Sequence, residues 1–344
     1  MLLDLQTLDA ILARLPELSI AVVGDVFLDK YLDLDATLTE VSIETGLEAF
    51  QVTGVRCYPG AGGTVLNNLH ALGVGDLHAV SVIGQDGEGF ELLCELDRMQ
   101  VHTEHLLQSP LRMTPTYTKP MLRAPDAEPR ELNRLDIRNR SPQGPEIDRQ
   151  VMAALDEVVP QVDAVVIADQ VTERNHGVVT DVVREHLSEL AREHAGKLFL
   201  ADSRAHLALF RNCIIKPNRS ELYHALGLPC SKEHFDPHAT LAAVKRLALH
   251  TGQAVYATCG EEGIIYSDGA VLEEIPAIPV KGPIDIVGAG DSTAAGILCG
   301  LCAGVSPVQA AELGCLVASI TIQQLGVTGT ATPAQLRSHF ANLV

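Results

Sequence analysis

Gly288, Ala289, Gly290 and Asp291 close the run "DIVGAGD" and stand directly before an apolar, helix-like stretch. Residues of these types at this spacing could do two pieces of chemistry together. Glycines let main-chain N–H groups turn toward a bound anion, and a helix starting there adds the positive end of its dipole. A carboxylate in the same place repels the anion, so Asp291 is expected to serve whatever attacks it, by taking a proton. Its position at a helix N-terminus also predicts a low pKa, which makes it a weak base.

Other motifs carry two readings each. In "KPNRSE", Asn218 stands three residues before Glu221, the spacing of a capping box. The same pair could hold Mg²⁺ through its waters, because that ion takes only one or two carboxylates and keeps much of its hydration. In "TCGEEG", Thr258, Gly260 and Gly263 form either a glycine loop feeding a hairpin that turns at Asp268 and Gly269, or a place where backbone approaches a nucleotide closely. Asp29, just past the strand-ending pair Gly24 and Asp25, could accept from sugar hydroxyls. Gly62 and Gly63 open a helix and suit either a substrate or tight helix packing. Cys299 and Cys302 form a C-x-x-C inside an apolar stretch, where cysteine serves as a small core residue. No second pair or nearby histidine completes a metal site there, and His102 with His105 lacks a third ligand.

The elements that must position these residues follow from periodicity. Short apolar, β-branched runs ("IAVVG", "HAVSVIG", "AVVIAD", "KLFLAD", "CIIKPN", "AVYATCG") alternate with longer helix-like segments. That alternation predicts an α/β fold with a mostly parallel sheet and helices on both faces. Most of the runs end in special residues: Gly24 and Asp25, Asp169, Asp202, Asn218, Thr258 and Gly260. Ligands of open α/β sheets sit beyond the carboxyl ends of the strands, so these residues are expected around one cleft. The lead "AIPVKGPIDIVG" is expected to be strand-like and to bring Asp291 to the same edge. Residues 30–58 and 113–138 break the rhythm with alternating segments. They are expected either as a small β lid over the cleft or as an antiparallel edge of the main sheet.

The chain has 344 residues, with 25 Lys and Arg against 44 Asp and Glu, a formal charge of -19. Such a field repels nucleic acid and anionic membrane, so neither is an expected partner, and an anionic ligand must be held by a local device. The N-terminal segment reads as an amphipathic helix rather than a signal peptide. No apolar run approaches the roughly 18 residues of a spanning helix. Eight scattered cysteines suit a reducing cytoplasm.

Taken in order, these motifs resemble the ribokinase, or PfkB, family of carbohydrate kinases. "PGAGGTVLNNLHALG" is similar to that family's N-terminal signature, "KPNRSE" to its Asn-x-x-Glu motif, "TCGEEG" to its nucleotide loop and "DIVGAGD" to its C-terminal signature. Within the family, "VVGDVFLDKY", "TPTYTK" and "ELNRLDIR" look most like the heptose 7-phosphate kinase domain. The cytidylyltransferase domain often fused to that kinase is not expected here. The resemblance implies one ribokinase-like domain over 1–344, a three-layer sandwich with a small β lid. It implies ATP-dependent phosphorylation of a hydroxyl on a sugar or sugar phosphate, with Asp291 as base and Gly288, Ala289 and Gly290 as anion hole. Asn218 and Glu221 would organise Mg²⁺, and Thr258, Gly260 and Gly263 would surround the nucleotide. Asp29, Gly62, Gly63, Thr64 and Asn68 would hold the acceptor. Lys119, Arg134 and Arg138 on the lid would meet a phosphate on the substrate, K⁺ would sit near Asp285, and two copies would pair through their lids. Thr64 stands where the family carries a substrate-binding Asn, and "ADQVTERNHG" replaces a strand end that holds Lys and Gly in heptose kinases. A nucleoside kinase of the same fold and a non-catalytic sugar or nucleotide sensor remain open alternatives.

Overall fold

The computed structural model describes residues 2–125, 127–229 and 236–343. Its strands in chain order are β1 (Ser19–Gly24), β2 (Val26–Val41), β3 (Glu48–Ala61), β4 (Asp76–Gly84), β5 (Leu106–Ser109), β6 (Thr116–Arg123), β7 (Arg130–Glu131), β8 (Leu135–Ile137), β9 (Ala164–Asp169), β10 (Leu198–Ser203), β11 (Ile214–Ile215), β12 (Val255–Thr258), β13 (Ile264–Ser267) and β14 (Leu272–Ile275). The helices are α1 (Leu5–Arg14), α2 (Gly62–Leu72), α3 (Gly87–Arg98), α4 (Pro145–Val158), α5 (Asp181–Glu193), α6 (Arg219–Ala225), α7 (Pro237–Thr251), α8 (Ala289–Cys302), α9 (Pro307–Thr321) and α10 (Pro333–Ala341).

All six apolar runs join one nine-stranded sheet, ordered β14-β13-β12-β11-β10-β9-β1-β4-β5. From β12 to β5 neighbouring strands are parallel, and β13 and β14 add an antiparallel edge. The runs are apolar throughout because both faces are covered. Along β1, Ile20 and Val22 join the core under α1, α2, α3, α8, α9 and α10, while Ala21 and Val23 join the core under α4 to α7. This period of two in a doubly covered sheet makes three layers.

Residues 30–58 and 113–138 do not form an edge of that sheet. They supply a separate five-stranded sheet, β3-β2-β6-β7 with β8 beside β6. Only Asp25 separates β1 from β2, so the small sheet springs from the carboxyl ends of the large one. Val26 and Leu28, buried in the main core, root it there.

The lead to Asp291 corrects one expectation: residues 276–286 form no strand. Pro276, Pro279 and Pro283 remove the backbone donors that a ladder needs. Among the described residues, no helix is long and apolar enough to cross a membrane.

Candidate active site

A cleft of about 940 Å³ opens at the carboxyl ends of β10, β11 and β12. Asp202, Lys216 and Thr258 enter it from those ends or just beyond them, and Gly288, Ala289, Gly290 and Asp291 enter from the start of α8. Asn218, Glu221, Gly260 and Gly263 complete the polar wall, so the whole predicted nucleotide and anion set meets here. Ile278, Val280, Ile284, Ile286, Ala318 and Ile322 make an apolar wall alongside.

The capping box is real. Asn218 Oδ1 accepts from Glu221 N at 2.9 Å, and Glu221 Oε2 accepts from Asn218 N at 2.7 Å. The structural and chemical readings of the motif therefore coexist, because the box seats α6 with its acidic side chain in the cleft wall. Burial, then nearby Asp202, pushes the Glu221 carboxyl up to about 7.

Asp291 departs from expectation in the same direction. Its carboxyl is pushed up to about 7, first by burial and then by Asp202, with Lys216 and Arg204 pulling it back and Glu221 adding to the rise. Desolvation and like charge outweigh the helix dipole, whose effect is worth typically under 1 kcal/mol. The residue is thus a better base near neutrality than its helix position alone predicts.

Two cations stand against these three carboxylates. Lys216 Nζ lies 2.9 Å from Asp202 Oδ2 with both side chains buried, and it would stand 3.5 Å from a Cβ placed on Gly290. A fixed positive charge thus sits against the glycine loop. Arg204, held through its Nε by Gln170 Oε1 at 2.9 Å, lines the cleft nearby. Sequence reasoning singled out neither. For Lys216 the signal lay in its place at a strand end, directly before the Pro-Asn of the capping motif.

The glycines divide by cause. Gly288 adopts φ 79° as the N-cap of α8, a left-handed conformation that glycine takes without cost. A Cβ there would meet Thr328 at 2.5 Å and Thr64 at 3.4 Å. Thr64 therefore packs beside the anion loop, at the point where the starts of α2 and α8 meet. Ala289 N donates to Ile286 O at 3.1 Å, so this expected anion donor is already engaged. Gly290 and Asp291, next in the first helical turn, have no intrahelical carbonyl to reach. Gly260 has φ 62° and open space where a Cβ would be, whereas a Cβ on Gly263 would collide with Ile275 O at 2.1 Å.

The expected acceptor set is only partly assembled. A Cβ on Gly62 would touch Asp25 O at 3.0 Å and one on Gly63 would touch Pro59 at 2.4 Å. These two glycines serve helix packing, and Gly62 N donates to Asp25 O at 2.8 Å. Asn68 is fully buried inside α2 and donates to Thr64 O at 2.9 Å, while its Oδ1 has no partner among the described residues. Asp29 pairs with Lys119 at 3.2 Å, and Lys119 also donates to Tyr31 Oη at 3.1 Å. Arg134 grips Asp136 with two bonds of 2.6 and 2.9 Å and lies 4.2 Å from the Tyr117 ring centre. Arg138 shares Asp136 at 3.0 Å. Lys119 is thus matched by Asp29, whereas Arg134 and Arg138 share one carboxylate, which leaves net positive charge where Arg138 lines a chamber. This small chamber, of about 70 Å³, is walled by Asp25, Phe27, Tyr117, Arg138, Gln170 and Arg204 among others. Gln170 and Arg204 also line the cleft, so the two spaces adjoin.

Among the described residues no group of three His, Cys, Asp or Glu side chains could hold a metal ion directly. A divalent ion fits only as a hydrated one, and Glu221 beside Asp202 and Asp291 is a carboxylate set short of positive charge. Asp285 uses its carboxylate to accept from Val287 N at 3.0 Å and Gly326 N at 3.1 Å, which ties the loop before α8 to the turn after α9. Cys299 is buried in the core and Cys302 packs against it within α8. His102 stacks on His78 at 4.6 Å.

Comparison with known proteins bears on the family and the fold. The family described as pfkB family carbohydrate kinase matches residues 19–335. The bifunctional protein HldE of Trichlorobacter lovleyi is 27% identical over 336 residues, covering 97% of this chain and 65% of that protein. HldE of Geobacter metallireducens is 27% identical over 339 residues with the same coverage. The chain thus spans just under two thirds of the length of these curated relatives. Arabidopsis thaliana ribokinase complexed with ribose and ATP has a TM-score of 0.68 at 17% identity, covering 94% of this chain and 98% of that one. Phosphofructokinase-2 of Escherichia coli in complex with potassium has a TM-score of 0.69 at 17% identity, covering 95% and 99%. These two structures speak for the fold alone.

Proposed function

The chain belongs to the pfkB family of carbohydrate kinases, and we propose that it transfers the terminal phosphoryl of ATP to a hydroxyl of a sugar or sugar phosphate. The observation that carries this is the meeting, in one cleft, of the α8 N-terminus, a base near neutral pKa and the Asn218 to Glu221 cap. Asp291 takes the proton of the acceptor hydroxyl. The N–H groups of Gly290 and Asp291, with that of Gly288, face the transferring phosphoryl, and Lys216 adds fixed positive charge beside Gly290. A loose phosphoryl-transfer transition state asks mainly for such placement and charge.

The apolar wall from Ile278 to Ile286, with Ala318 and Ile322, suits a flat base, and Thr258, Gly260 and Gly263 lie where the rest of a nucleotide would pass. Glu221 and Asn218 would hold Mg²⁺ through water, and the ion would neutralise phosphate charge. Asp285 would serve a K⁺ site by ordering the loop before α8. The small sheet acts as a lid, with Asp29 and Lys119 on its acceptor side. Heptose 7-phosphate is the first acceptor to try, given the HldE relatives.

The test is ADP release from Mg-ATP with hexoses, heptose 7-phosphate, ribose, fructose 6-phosphate and nucleosides, each run beside Asp291→Asn. The variant is expected to bind ATP as the parent does and to lose about 10²- to 10⁴-fold in turnover. Equal turnover in both proteins would remove Asp291 from the mechanism.

A further inference from the structure

Residues 170–178 lie between β9 and α5 without helix or ladder of their own. Segments of this kind must place their backbone N–H groups elsewhere, and three of these end on one side chain. Asp25 Oδ2 accepts from Gln170 N at 2.9 Å and Val171 N at 3.0 Å, and Oδ1 accepts from Val178 N at 2.8 Å. Gly177 closes on the same carboxylate, since a Cβ there would lie 2.7 Å from Oδ1. From the other side Arg112 donates to the carbonyls of His176 and, at 3.0 Å, Ser141.

Asp25 is only 4% exposed. Burial and neighbouring Asp169 push its carboxyl up to about 6, against the pull of the three N–H groups. A buried charge kept at such cost is there for what it holds. What it holds is the wall between two spaces: Gln170, fixed to Arg204, lines both the small chamber and the cleft. Asn218, Thr258 and Gly260 line the cleft and not the chamber.

We propose that the acceptor lies where the chamber meets the cleft, and that Asp25 is a positioning residue whose carboxylate pins the 170–178 loop as the wall there and so sets affinity for the acceptor rather than for ATP. The inference rests on the kinase reading above. Asp25→Asn keeps the shape but turns an NH₂ toward either the Gln170 and Val171 N–H pair or the Val178 N–H. Losing charge-assisted bonds of this kind is expected to raise the acceptor KM about 10- to 100-fold, with kcat and the ATP KM changed by less than about threefold. Hydrogen exchange at Gln170, Val171 and Val178 should quicken by a similar factor.

The measurement uses whichever sugar or sugar phosphate of the panel the parent enzyme turns over, and compares parent, Asp25→Asn and Gly177→Ala. The last variant presses a methyl on the same carboxylate without removing it, and serves if Asp25→Asn does not fold. A selective rise in acceptor KM with faster loop exchange in either variant supports the proposal. Faster exchange with an unchanged acceptor KM, or equal losses toward ATP and acceptor, overturns it. A parent enzyme idle toward every acceptor overturns the kinase reading instead, and this proposal with it.

Discussion

Asp291 illustrates how a single residue answers to competing fields. The dipole of α8 favours its ionised form, yet burial and the carboxylates of Asp202 and Glu221 disfavour it more and bring it to about 7. The sign matters for activity. A general base works when deprotonated, so kcat/KM should fall about tenfold per pH unit below about pH 7 and level off above it. A profile flat from pH 5 to 8 would show that no proton is taken in the limiting step. Lys216 and Arg204 moderate the shift; a strand-end position hints that Lys216 reaches the cleft, but no local pattern names the carboxylates that either cation meets.

Helix α6 is an element doing two jobs. Its capping box orders the first turn, and the same Glu221 faces the cleft. Glu221→Gln separates the jobs, because glutamine can still complete the box while the carboxylate charge is gone. Its melting temperature should stay within about 1–2 °C of the parent, since a retained cap loses little of its worth of about 1 kcal/mol. The free Mg²⁺ needed for half-maximal rate should rise about tenfold or more, the worth of one charge-assisted contact. An unchanged Mg²⁺ titration would leave the ion to other residues. The element before α8 taught the opposite lesson, since "AIPVKGPIDIVG" has the β-branched content of a strand but its prolines cannot pair.

At the scale of the whole molecule, the charge of -19 means that the proposed anion would depend on local positive charge, which the helix start and Lys216 would supply. The small sheet exposes Phe50, Val52 and Val55 at 39%, 48% and 52%, apolar side chains that a second copy would cover. Val52→Asp combined with Val55→Asp should leave the fold intact and halve the particle mass in light scattering. A parent that is already monomeric at micromolar concentration would refute pairing through this sheet.

How much of this was legible in the sequence depended on distance along the chain. The six strands, the capping box and the glycine turns at Gly260 and Gly288 are local patterns, written in periodicity, spacing and the steric freedom of glycine, and the motif order carried the family. The partnership of Asp202 with Lys216, their joint effect on Glu221 and Asp291, the burial of Asn68 and the packing of Gly62 against Asp25 arise between different elements of the fold. Burial and Coulomb energies depend on distances in space, and only the packed sheet with its helices brings those groups together.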